Sequence, residues 1–98
     1  MTDLEFLDHW YASQSNGDWE HGEGVHLVTL DNPGWVLTVC IGGSDLHGET
    51  EAPRKFYGSD TDFIESASDG LIYRASCSVG RLPEALRRFR DFAEARAH

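Results

Sequence analysis

Four residues, Asp31-Asn32-Pro33-Gly34, separate two short runs that suit extended chain, Val25 to Leu30 and Trp35 to Ile41. Proline presets φ near −65° and glycine supplies positive φ, so the backbone reverses within four residues. The flanking runs are dense in β-branched and aromatic side chains, which fit a pleated, half-buried surface. Strands joined this closely pair antiparallel. This hairpin commits the chain to a sheet, and the remaining elements must cover or extend it. A second turn signal, Asn16-Gly17, precedes a polar segment from Asp18 to Gly24. Trp19 and Trp35 stand at the two ends of the whole stretch, and each can bury on the order of 200 Å².

The rest of the chain supplies the partners. Thr2-Asp3-Leu4-Glu5 has the spacing of a capping box, with threonine and glutamate satisfying each other's backbone amides. Behind it, Leu4, Leu7 and Tyr11, with Phe6 and Trp10, make a wide apolar stripe on a helix reaching about Gln14. Gly42 to Asp45 ends the second strand, and Leu46 to Pro53 reads as a polar connection, because proline argues against a central strand. A third strand is expected at Arg54 to Tyr57, a turn at Ser59 to Asp62, and a fourth strand at Phe63 to Ala67. Ser68-Asp69-Gly70 then turns into a fifth strand at Leu71 to Ser76. Pro83 fits the opening of a last helix, with Leu82, Leu86, Phe89 and Ala93 as its inner seam and Arg87, Arg88, Arg90 and Arg96 mostly on its other faces. The order predicts an α+β fold: a single small domain over residues 1–98, with a mainly antiparallel sheet of about five strands and the N-terminal and C-terminal helices packed on one face.

Charge narrows the function classes. The formal net charge is −9, and it is unevenly placed. From Met1 to Pro53 there are ten acidic residues and no lysine or arginine; from Arg54 to His98, seven acidic residues meet eight basic ones. Such a field repels nucleic acid and anionic membranes and draws in a basic protein. No apolar run approaches the ~18 residues of a membrane span, and Met1-Thr2-Asp3 lacks the basic start of a signal peptide, so a cytoplasmic protein is expected. Two cysteines, Cys40 and Cys77, make no disulfide framework.

Two clusters invite a chemical reading. Asp18, Glu20, His21, Glu23 and His26 crowd nine residues with metal-ligating types. Zinc sites need three or four ligands converging at about 2 Å, whereas neighbours such as Glu20 and His21 point apart on extended chain, so a solvated acidic loop is the simpler account. Cys77-Ser78-Val79-Gly80-Arg81 precedes a helix, as the thiolate loops of cysteine-dependent phosphatases and sulfurtransferases do. Those loops hold cysteine and arginine four or five residues apart, against three here. An enzyme using Cys77 and Arg81 is the alternative reading; the preferred one includes no catalytic residue, metal or cofactor.

Trp10-Tyr11-Ala12-Ser13-Gln14, Asn16-Gly17-Asp18-Trp19-Glu20-His21 and Thr29-Leu30-Asp31-Asn32-Pro33-Gly34-Trp35 closely resemble the immunity protein 53 family, small bacterial proteins that neutralise toxins of polymorphic toxin systems. The resemblance is dense from Leu4 to Trp35, thins by Ile41, departs at Cys40-Ile41-Gly42-Gly43, and returns as pattern around Leu82 to Phe92. It implies a non-catalytic protein that binds a cognate toxin domain, with the charge pointing to a basic one. Asp18, Trp19, Glu20, His21 and Glu23 are the expected contacts, a tryptophan beside carboxylates being a good interface anchor. Asp45 to Asp62 is the competing surface, and a generic acidic interaction module is a further alternative.

Overall fold

The computed structural model describes residues 1–22 and 24–96. Helix α1 (Asp3–Gln14) is followed by a single helical turn, α2 (Trp19–Gly22), and strands β1 (Gly24–Leu30), β2 (Gly34–Cys40), β3 (Thr50–Ser59), β4 (Asp62–Asp69) and β5 (Ile72–Ser78). Helix α3 (Leu82–Ala95) closes the order. The strands lie β1-β2-β5-β4-β3, every neighbouring pair antiparallel. The expected α+β architecture is what forms. Thr2 and Glu5 make the full capping box at the start of α1, with bonds of 2.9 and 3.1 Å.

The first hairpin needs its glycine for a different reason from the one expected. Leu30 pairs with Gly34, leaving Asp31, Asn32 and Pro33 as the loop. Gly34 does not have positive φ. It faces Ser78 of β5, and a Cβ there would run into the carbonyl oxygen of Cys77. The requirement is close approach of two backbones, not a left-handed turn.

Two expected boundaries shift. The third strand begins at Thr50, not Arg54, so half of the supposed polar connection is strand. Pro53 is tolerated because β3 is an edge, and the register slips between Glu51 and Arg54 where the proline sits. Cys77 lies inside β5 rather than in a loop before α3.

Pairing partners share a face of a sheet, so the register places Leu37, Val39, Ile64, Ser66, Tyr73, Ala75 and Cys77 together on one side. All seven are fully buried. Leu7 and Trp10 of α1, Trp19 of α2, and Ala85, Phe89, Phe92 and Ala93 of α3 close over them. Both long helices therefore cover the same face. The aromatic rings meet edge-on: Trp10 lies 5.2 Å from Phe89, and Tyr73 5.3 Å from Phe89. The opposite face stays open, with Val28, Tyr57 and Ile72 exposed on it.

Two expectations about the helices change. The seam of α3 is rotated toward Ala85, Phe89, Phe92 and Ala93, with Leu82 and Leu86 only half-buried. On α1, Leu7 and Trp10 are buried, but Leu4 remains 61% exposed. The arginines of α3 and of its C-cap, Arg96, reach across to other elements. Arg90 and Arg87 grip Asp3 at 3.2 and 3.0 Å, and Arg88 and Arg96 reach the β3 carbonyls of Arg54 and Thr50 at 2.8 and 3.0 Å. Helix α3 thus ties α1 to β3.

Candidate protein-binding site

Residues 16–22, the expected contact loop, are closed on themselves. The Asn16 side-chain oxygen accepts from the amides of Asp18 and Trp19 at 2.9 and 3.0 Å. The Glu20 carboxylate reaches back and accepts from the amides of Asn16 and Gly17 at 2.9 and 2.7 Å. This is the logic of a helix cap on one turn: side chains satisfy amides that so short a helix leaves without partners. Burial alone would raise the Glu20 pKa, but the amides of Gly17, Glu20 and Asn16 together hold it below the usual glutamate range.

That closure drives Trp19 inward. Its side chain is 5% exposed, its indole nitrogen donates to the Cys40 carbonyl at 3.1 Å, and its ring meets Trp10 edge-on at 5.6 Å. The tryptophan that sequence reasoning offered as an interface anchor plugs the core between α1 and the end of β2. Of the five expected contacts, Asp18 and His21 stand exposed, Glu20 is half-buried and committed to amides, Trp19 is buried, and Glu23 lies outside the described residues. His26 sits apart from the loop, exposed on β1. Among the described residues, no three metal-ligating side chains come together.

The other cluster is equally committed. The Cys77 thiol is fully buried under α3, and burial pushes its pKa up, the reverse of what a nucleophile needs. Arg81 does not face it as an anion cradle. Its guanidinium holds Asp62 and Glu84, each at 2.6 Å, and lies over the Phe56 ring. Hydrogen bonding to Arg81 holds the Asp62 carboxyl below its ordinary range. Cys40 pairs with Ile72, whereas Cys77 pairs with Trp35 at the other end of β2, and the two cysteines point to opposite faces. At about 3.3 Å per residue they lie far beyond disulfide reach.

Among the described residues, two concavities that flank α1 went unread in the sequence. The larger, about 430 Å³, lies where Phe6, Trp10, Gln14, Asp45, Glu94 and Arg96 meet. Its polar side chains are already engaged: the Gln14 amide donates to Asp45 at 3.1 Å, Arg90 holds Glu94 at 3.2 Å, and Arg96 lies 3.8 Å from both Glu49 and Glu51. The smaller, about 240 Å³, is an apolar groove between α1 and β1 lined by Leu4, Leu7, Asp8, Tyr11 and Val25. Its signal was present as the width of the α1 stripe, which exceeds what the sheet covers. Leu4, Asp8 and Tyr11 stand exposed around this groove.

A sequence model of immunity protein 53 matches residues 4–94. The chain belongs to the immunity protein 53 family. The match runs through the middle of the chain, where the resemblance read from individual motifs had faded after Ile41. No curated protein and no solved structure matches the chain. Membership brings an immunity function and a protein partner. For this family member, the motif residues Asn16, Trp19 and Glu20 hold the fold. No helix among the described residues is long and apolar enough to cross a membrane.

Proposed function

We propose that this chain binds a cognate toxin domain of a polymorphic toxin system and blocks it by occupying its surface, without catalysis and in the cytoplasm of the producing cell. The family match over residues 4–94 carries the reading. Charge gives the partner a sign. The first 53 residues hold no lysine or arginine, and Asp8, Asp18 and Asp31 are exposed in that half, a field suited to a cationic toxin. Cys77 lends no support to the enzyme alternative, since its sulfur is buried and its guanidinium neighbour is engaged elsewhere.

The test is association with the product of the open reading frame adjacent to this chain's gene. Asp8→Lys and Asp18→Lys reverse charge without touching the Glu20 closure. Together they are expected to slow association about tenfold at low salt and much less at physiological salt. A rate that stays the same at low salt would count against a charge-steered partner, and failure of the wild-type chain to bind at all would remove the toxin.

A further inference from the structure

The sheet ends in two edges that are managed in opposite ways. β3 is defended: it carries Pro53, Arg54 and Lys55, its register slips twice, and arginines of α3 and its C-cap occupy its Thr50 and Arg54 carbonyls. These are the devices by which proteins prevent an edge strand from pairing with another chain. β1 has none of them. Its seven residues, Gly24–Leu30, include no proline, lysine, arginine or carboxylate, and pair with β2 without a slip. Among the described residues no side chain bonds its backbone.

Apolar side chains flank this open edge. Leu27 is 40% exposed on the face that α1 partly covers, and Leu4 and Tyr11 stand exposed across the groove from Val25. The acidic side chain of Asp8 lines that groove, and Asp31 follows the strand's end. Self-pairing would bring together two molecules of net charge −9 along a border with no lysine or arginine.

We propose that β1 accepts a sixth strand from a cationic protein partner: an extended segment whose apolar side chains enter the groove beside Leu4, Tyr11 and Leu27 while the lysines or arginines that alternate with them, on the strand's other face, lie in the field of a border without lysine or arginine. Backbone bonding to the edge supplies affinity and the groove supplies selectivity, the mode of β-strand addition. The inference rests on the toxin-binding reading for its natural partner, and it names the surface and the shape of what docks there.

The probe is a capped octapeptide alternating valine and lysine, titrated into the isotope-labelled full chain at low salt, with a valine–glutamate counterpart as control. The valine–lysine peptide is expected to shift and protect alternate amides of β1 and to move the Leu4 and Tyr11 side-chain signals. The acidic counterpart should bind at least about tenfold more weakly. Leu27→Lys, the kind of charge that guards natural edges, should weaken binding about tenfold or more, while Tyr57→Lys on β3 leaves it unchanged. Shifts confined to β3 or the open face, equal binding of the two peptides, indifference to Leu27→Lys, or β1 amides already protected by concentration-dependent dimerisation would each overturn the proposal. Binding to the proposed toxin partner separates the two readings. Unchanged toxin binding by Leu27→Lys refutes the edge and leaves the immunity reading intact. Peptide binding at β1 with no toxin binding upholds the edge and removes the toxin.

Discussion

The loop at residues 16–22 and strand β1 are neighbours in sequence and opposites in use. The loop is polar and charged, yet it turns its glutamate onto its own amides and its tryptophan into the core. β1 is apolar, yet four of its seven residues are exposed, Leu27 and Val28 among them. Polarity in a short loop is no guide to exposure when a carboxylate has unsatisfied amides to serve, and hydrophobicity in a strand is no guide to burial when the strand is an edge.

Perturbations of the two regions should therefore separate stability from binding. The largest effect is expected for Trp19→Ala, which empties a buried site and leaves the Cys40 carbonyl without its indole donor; about 3–5 kcal/mol of unfolding free energy should be lost in denaturant titration. A loss within about 0.5 kcal/mol would return Trp19 to the surface and erase the contrast. Asn16→Ala removes the side chain that caps α2 and should cost about 1 kcal/mol. Glu20 gives a pH signature. Its pKa is lowered in the folded protein, so its contribution is present above the unfolded glutamate value near 4.5 and is lost as pH falls through the lower folded value. Glu20→Gln should melt earlier than wild type at neutral pH and show a shallower loss on acidification, measured by thermal melts across that window. The smallest stability change belongs to Leu27→Lys, within about 0.5 kcal/mol, because a half-exposed edge position has water to take the ammonium. A large destabilisation there would make β1 part of the core.

Tyr73 extends the same reasoning to the floor of the sheet. Its hydroxyl is buried without a hydrogen bond of ordinary geometry among the described residues; burial, the larger effect, pushes its pKa up to about 12, while Ser66 beside it lowers the value. The raised value means stability is complete below the ordinary tyrosine range near 10 and declines as pH rises toward the folded value. Tyr73→Phe should be neutral or about 1 kcal/mol more stable, and should resist alkaline unfolding better in the same melts.

Much of the fold was readable because turn residues and periodicity are local. Asp31 to Pro33, Ser68 to Gly70 and the Thr2–Glu5 box each set their element from within a few residues. What escaped depended on neighbours distant in sequence. The start of β3 at Thr50 depends on its being an edge, where Pro53 is harmless. Gly34 is needed because of Cys77, more than forty residues on. The sequence places the arginines of α3 on faces other than the seam, but their partners, Asp3 and the β3 carbonyls, lie too far back in the chain to be read from it. At the candidate site, residue types suggested contact, whereas hydrogen bonding decided exposure. Asp18 and His21 remain available, Trp19 and Glu20 are committed, and the groove beside β1 depends on how much of the α1 stripe the sheet leaves uncovered.

Amide hydrogen exchange of the chain, alone and with the toxin domain proposed as its partner, addresses the central contrast most directly. New protection should appear along Gly24–Leu30, while the amides of Asn16 and Gly17, already bonded to Glu20, change little. Protection gained in the loop at residues 16–22 or along β3, with β1 exchanging as freely as before, would contradict it.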